Sequence, residues 1–249
     1  MLDTWVMIKR SMLILFRNPE SMIMAVVTPF MVMLLMGTIF GNIANIGEGI
    51  NFIDFIVSGI ILQALVQATQ YTGIGVAGDM SKGIMDRFRS MPISRMAVLN
   101  GHATASVIKN TLSIGIMIGA AFIVGFRPQA GLVGWLGAIG IFTLFNIAFT
   151  WLTILFGLLA KSPDMVAGYV FPFIILPFVS TGFTPTELLP RGVRQFAQHQ
   201  PMSPVIDATR NLMMDVPVGN SVWIALAWLV GITVFSLLMS LRLYKRKLV

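Results

Sequence analysis

Apolar runs of spanning length recur along this 249-residue chain and constrain its fold more than any other feature. A helix rises about 1.5 Å per residue, so some twenty apolar residues cross a hydrocarbon core of roughly 30 Å. Inside that core every backbone polar group must be bonded internally, and runs of this length do so as helices. Six stretches qualify, at about 21–41, 54–78, 101–126, 132–160, 163–183 and 221–241. With 56% hydrophobic and 11% charged residues, a soluble globular domain is excluded. The expected class is all-α, a polytopic membrane protein with six transmembrane helices.

The net charge of +7 could point to nucleic acid, but the basic residues sit mainly between and after the apolar runs. That is the positive-inside pattern, and it sets topology instead. An even number of spans puts both ends on one side. Lys9, Arg10, Arg17, Lys82, Arg87, Arg89, Arg95, Lys161 and four C-terminal basic residues share that side, against Arg127, Arg191, Arg194 and Arg210. Both termini are therefore expected in the cytoplasm. Residues 1–18 form a modestly amphipathic stretch suited to lie in the cytoplasmic interface and be retained, because no small-residue cleavage site follows.

The longest polar interval in the first two-thirds is DMSKGIMDRFRSMPISR, Asp79 to Arg95. A short helix fits Lys82 to Ser90, stopped by Pro92. On it Ile84, Met85, Phe88 and Met91 share one face, with Lys82, Asp86 and Arg89 opposite. Such a helix lies flat at a membrane surface, apolar side down, and offers charge to the cytoplasm; an ordinary basic loop that fixes topology is the plainer reading.

Residue identity adds to this. Asp79, Gly83, Asp86-Arg87-Phe88-Arg89-Ser90-Met91-Pro92, Ser94-Arg95 and Ala97-Val98-Leu99 together resemble the first cytoplasmic loop of bacterial drug-exporting ATP-binding cassette (ABC) permeases, closest to the daunorubicin-resistance type. Pro185, Leu189-Pro190, Pro201, Pro204 and Arg210 extend the resemblance toward the C-terminus. It implies a single exporter transmembrane domain over 1–249, with an interfacial helix (1–18), a cytoplasmic coupling loop (79–100) and an extracellular helical hairpin (184–219) before the last span. Lys82, Gly83, Asp86, Arg87, Phe88, Arg89 and Pro92 would form the surface that seats on a separate ABC ATPase subunit. Two ATPase copies would serve two permeases, as a homodimer or as a heterodimer with a similar permease, in the bacterial plasma membrane. The implied cargo is a lipophilic drug, antibiotic or lipid-like compound. Export of a lipid-linked polysaccharide or teichoic-acid precursor is the alternative within the class.

No G-x-x-x-x-G-K-[ST] phosphate loop occurs, so ATP and magnesium are expected in the partner, with no cofactor in this chain. H-E-x-x-H and G-x-S-x-G are absent too, leaving no expected catalytic or metal residues. Without cysteine there is no disulfide framework. A secondary carrier or channel is the reading from another class. The spans are nearly free of the Asp, Glu and His that ion coupling uses, which counts against it. Lys109 is the exception, expected about two turns inside and snorkelling to the cytoplasmic interface.

Within the second span Gln63, Gln67 and Gln70 recur at helical spacing, so their amides share one face. They are pathway candidates if that face lines a route, or polar glue between helices if it does not, with Asn146 as a partner. Pro172 and Pro177 in the fifth span join them, since each frees backbone carbonyls. Gly115-x-x-x-Gly119 and Gly131, Gly134, Gly137 and Gly140 are expected to make contacts within the chain. In the hairpin, Val193, Phe196 and Ala197 share a face, and a second helix should begin with Ser203 as cap and Pro204 in first position. Phe196 and Ile206 are the outer gate candidates, both expected to be shielded.

Overall fold

The computed structural model describes residues 9, 19–40, 51–83, 95–185 and 189–247, and every regular element among them is helical. In chain order these are α1 (Pro19–Phe40), α2 (Phe52–Ser81), α3 (Arg95–Val124), α4 (Leu132–Leu159), α5 (Pro163–Ile175), a 3-10 turn (Leu176–Val179), α6 (Arg191–His199), α7 (Met202–Met214) and α8 (Ser221–Lys247). The expected interfacial helix and residues 84–94 of the expected coupling loop lie outside the described residues.

Four described helices are long and apolar enough to cross a membrane: Phe52–Ser81, Ala97–Val124, Leu132–Leu159 and Ser221–Tyr244. The first expected span holds α1, 22 residues from Pro19 to Phe40, and the fifth corresponds to the shorter apolar segment Pro163–Val179. The fifth differs most from expectation. Ser162 takes the N-cap position with extended backbone, Pro163 opens the helix and Asp164 lies in its first turn. Ser162 makes no side-chain capping bond, however. After 13 residues, roughly 20 Å, the α-helix gives way to the 3-10 turn, with Pro177 near its start. A proline at that position cannot donate the next helical hydrogen bond, so α-geometry ends there instead of reaching Phe183.

α4 sits between α2 and α8, and α2 packs in addition on α1, α3, α5 and α7. A large apolar core results, with Ile56, Val57, Ile60, Leu62 and Val66 of α2 wholly enclosed with Phe142, Phe145 and Phe149 of α4, and a smaller cluster forms around Leu99, Ile154 and Leu158. The closest approach of α2 and α4 is made by glycine. A Cβ at Gly73 would lie 2.5 Å from the Thr153 carbonyl oxygen, and one at Gly157 would collide with the carbonyl of Gly73. Only hydrogen at both positions lets the two backbones meet, so this pair sets the crossing.

The other glycines divide. Gly134 and Gly137 meet Leu212 of α7, as an intrachain role requires. Gly115 and Gly119 do not: no atom lies within 4 Å of a Cβ built on either, so this face of α3 is turned away from the chain's own core. Gly131 and Gly140 are likewise open. The motif shows that two small residues share a face, but which face α3 buries is decided by its neighbours.

Candidate functional site

Gln63, Gln67 and Gln70 all lie on α2, and its path through the bundle treats them differently. Gln63 is buried, 7% exposed, and its Oε1 has no hydrogen-bond partner. Gln67 and Gln70 are half-buried, and Tyr71 is 43% exposed. With half-buried Ile74, these residues form an open face on the Ser81-side half of α2. Beyond it the helix ends at Lys82. There Gly83 adopts φ +65° and donates its N–H to the Met80 carbonyl, the left-handed ending that glycine makes without strain. Gly83 thus has a backbone role apart from any contact with a partner. Of the expected coupling residues, Asp86, Arg87, Phe88, Arg89 and Pro92 lie outside the described residues.

Asn146 does not serve the glutamine face. It joins a buried network linking α2, α3 and α4. Asn110 Nδ2 donates to Asn146 Oδ1 at 3.0 Å, and Asn146 Nδ2 donates to the Val107 carbonyl at 3.1 Å. Thr72 Oγ1 donates to Ser106 Oγ at 2.7 Å, and Ser106 lies 3.4 Å from Thr150 Oγ1. Most polar groups here replace water for one another, which is how such groups are tolerated deep in a bundle, although Asn110 Oδ1 has no partner among the described residues.

This network also fixes the depth of Lys109. Its neighbour Asn110 meets the fifteenth of the 28 residues of α4, the middle of that helix. Lys109 therefore sits near the middle of α3, enclosed by the bundle. Its side chain is 5% exposed, its Nζ has no hydrogen-bond partner, and the ammonium lies 5.7 Å from the centre of the Tyr71 ring. A lysine at the centre of a membrane helix costs about 2.5–3.5 kcal/mol by insertion scales, and a ring offsets only part of that. At the Ser81 end of α2, His102 Nε2 lies 3.0 Å from Asp79 Oδ2, joining α2 to α3 beside the loop between them.

The opposite end is built around the turn that follows α5. Gln200 Nε2 donates to the carbonyls of Leu176 and Val179, both at 3.3 Å, and Thr181 is bonded to Ser203. Ser203 is not a helix cap. α7 starts at Met202, and the Ser203 hydroxyl donates to the Ala197 carbonyl of α6, with Pro204 inside the first turn. Arg210 reaches across: Nε donates to the Phe55 carbonyl at 2.9 Å, Nη1 to Asp207 at 3.2 Å and Nη2 to the Thr181 carbonyl. Its guanidinium stacks 3.9 Å from the centre of the Phe55 ring. Burial lowers the Arg210 pKa to about 10, with Asp207 acting in the opposite direction, so the group stays charged at neutral pH.

Ile206 is fully buried and packs at Gly182 in this turn, but Phe196 is 53% exposed. Of the face expected to pack down, only Ala197 does; Val193 and Phe196 point away from the chain. α6 is too short to bury its whole apolar face on α7. Of the two prolines, Pro177 is buried and Pro172 exposed.

Four described helices are long and apolar enough to cross a membrane, and two short helices are tied to the turn that follows α5. The family model of the ABC-2 type transporter matches residues 3–214. The chain belongs to the ABC-2 type transporter family. Among curated relatives this ABC-2 chain is 27% identical to the daunorubicin resistance ABC transporter permease protein DrrB1 of Streptomyces coeruleorubidus, over 96% of its own length and 84% of the relative's. It is 28% identical to the probable doxorubicin resistance ABC transporter permease protein DrrC of Mycobacterium tuberculosis, over 88% and 79%. The putative transport permease ycf38 of Pyropia yezoensis is 23% identical over 84% and 73%. The ABC-2 chain is the membrane permease subunit of an ABC exporter.

Proposed function

We propose that this permease exports a lipophilic drug, antibiotic or lipid-like compound from the bacterial cytoplasm or inner leaflet, driven by ATP bound with magnesium in a separate ATPase. Two permeases and two ATPase subunits form the working unit. Six spans cross the plasma membrane, with α1 and α5 counted among them, both termini are cytoplasmic, and the α6–α7 hairpin lies outside. The segment from Lys82 through Asp86, Arg87, Phe88 and Arg89 to Pro92 seats on the ATPase. Gln67 and Gln70 face the route, with Gln63 enclosed further along the same helix and the proline-bearing α5 packed beside it.

The observation that supports this most is the placing of α2. One helix carries the glutamine face, leads directly into the loop with the exporter motif, and meets the outer hairpin at its other end. The test is reconstitution with the ATPase. Transport should require ATP, and Arg89→Glu should lose ATPase association or coupling while still inserting normally. Transport by the permease alone, or full coupling in Arg89→Glu, would overturn the assignment.

A further inference from the structure

Lys109 is a cation without a counter-ion among the described residues, midway along α3, and the surrounding polar groups leave it so. The Asn110, Asn146 and Ser106 contacts do not include its Nζ, and Asn110 Oδ1 beside it is itself unpartnered among the described residues. On α2, its neighbour, the carboxylates are already engaged, Asp54 by the Arg127 amide and Asp79 by His102. α3 and α4 contain no acidic residue at all. The ammonium is itself enclosed, and what separates it from the surface is Tyr71. The ammonium lies over Tyr71, and Tyr71 shares the open face of α2 with Gln67 and Gln70, whose amides can donate hydrogen bonds. Next to it on α3, Ile108 and Leu112 are 46% and 54% exposed.

We propose that Lys109, with Tyr71, Gln67 and Gln70, is a binding subsite for the anionic head of an amphiphilic cargo, a phosphate or carboxylate whose apolar tail lies along Ile108 and Leu112. Inside a bundle the strongest partner for an unpaired ammonium is an anion that accepts several hydrogen bonds at once. A buried lysine also excludes cationic amphiphiles by like charge, so the subsite selects as well as binds. The proposal rests on the exporter reading and narrows its cargo class.

The test uses purified full-length permease in phosphatidylcholine nanodiscs, without ATPase. A pyrene-labelled alkyl phosphate is followed by fluorescence anisotropy and competed with octyl phosphate, octanoate, octyltrimethylammonium or inorganic phosphate. Octyl phosphate and octanoate should displace the probe and octyltrimethylammonium should not. Inorganic phosphate should compete far more weakly than octyl phosphate, since it lacks the tail. Lys109→Met should weaken probe binding roughly ten- to a hundredfold, the size of a charge-assisted hydrogen bond, while Lys109→Arg retains it. Equal competition by the ammonium, equal competition by free phosphate, or unchanged binding in Lys109→Met would each overturn the proposal. The head-group preference is read on the unmutated permease, so it decides even if a variant fails to assemble. A lost preference sinks the subsite and leaves the exporter reading standing; ATP-independent transport with the preference intact sinks only the exporter reading.

Discussion

Replacing Arg210 by methionine isolates what holds the hairpin against the rest of the chain. Methionine keeps the apolar stem and removes the donors. The Phe55 carbonyl lies inside α2 and keeps its helical role, so its loss costs about 1 kcal/mol; Thr181 is in a turn and loses a charge-assisted bond, about 2 kcal/mol. The stacking on Phe55 adds about 1 kcal/mol. Removing a desolvated charge returns part of that sum, leaving a net destabilisation of roughly 2–4 kcal/mol. Because the chain has no cysteine, a single cysteine at Ile206 reports opening without background. Its reaction with a membrane-impermeant thiol reagent should accelerate at least about tenfold in Arg210→Met, since each 1.4 kcal/mol is tenfold in an equilibrium. Arg210→Lys should fall in between, because an ammonium cannot span three acceptors as a planar fork does. Ile206 equally protected in both backgrounds would show that apolar packing alone holds the hairpin, and the clamp argument would be refuted.

Gly73→Ala and Gly157→Ala each place a methyl into a facing backbone and should lower the thermal midpoint of the purified permease, by about 1–3 kcal/mol in stability, while Gly115→Ala should be nearly silent. Asn146→Leu removes the acceptor for Asn110 and Thr150 and should cost about 1–2 kcal/mol, a loss that Asn110→Leu in the same chain partly relieves because no buried amide is then left unpaired. Gly83→Ala should cost about 1 kcal/mol through its positive φ, and a variant as stable as the parent would contradict the left-handed ending of α2.

Much of the architecture is legible because long apolar runs have few alternatives in a bilayer. α2, α3, α4 and α8 fall where the runs predict, and the start of α5 is readable from Ser162-Pro163-Asp164. What could not be read depends on which faces meet. Gly73 and Gly157 lie in separate helices, each among other glycines, and nothing pairs them until the helices cross. Asn110 and Asn146 are 36 residues apart. The enclosure of Lys109 is equally hidden, because the register of α3, which begins at Arg95, is set against α4. Phe196 follows the same rule, since helical spacing groups residues on a face without saying what covers it.

The contacts of α2 bear on how an outer gate could work. At one end the helix passes through Lys82 and Gly83 into the loop, with Asp79 held at His102; at the other its Phe55 carbonyl receives Arg210, and Gly59 abuts Gly182 in the turn after α5. The whole of α2 is 30 residues, roughly 45 Å of helix. The hairpin is tied to this turn again through Gln200, Ser203 and Ile206, so it cannot swing alone without breaking several buried hydrogen bonds together. A shift of the Lys82 end would instead carry α2, the end of α5 and the hairpin as one body, turning about the close contact at Gly73 and Gly157. Exit in this permease would then open by displacement of that body against its neighbours, with Ile206 staying covered throughout.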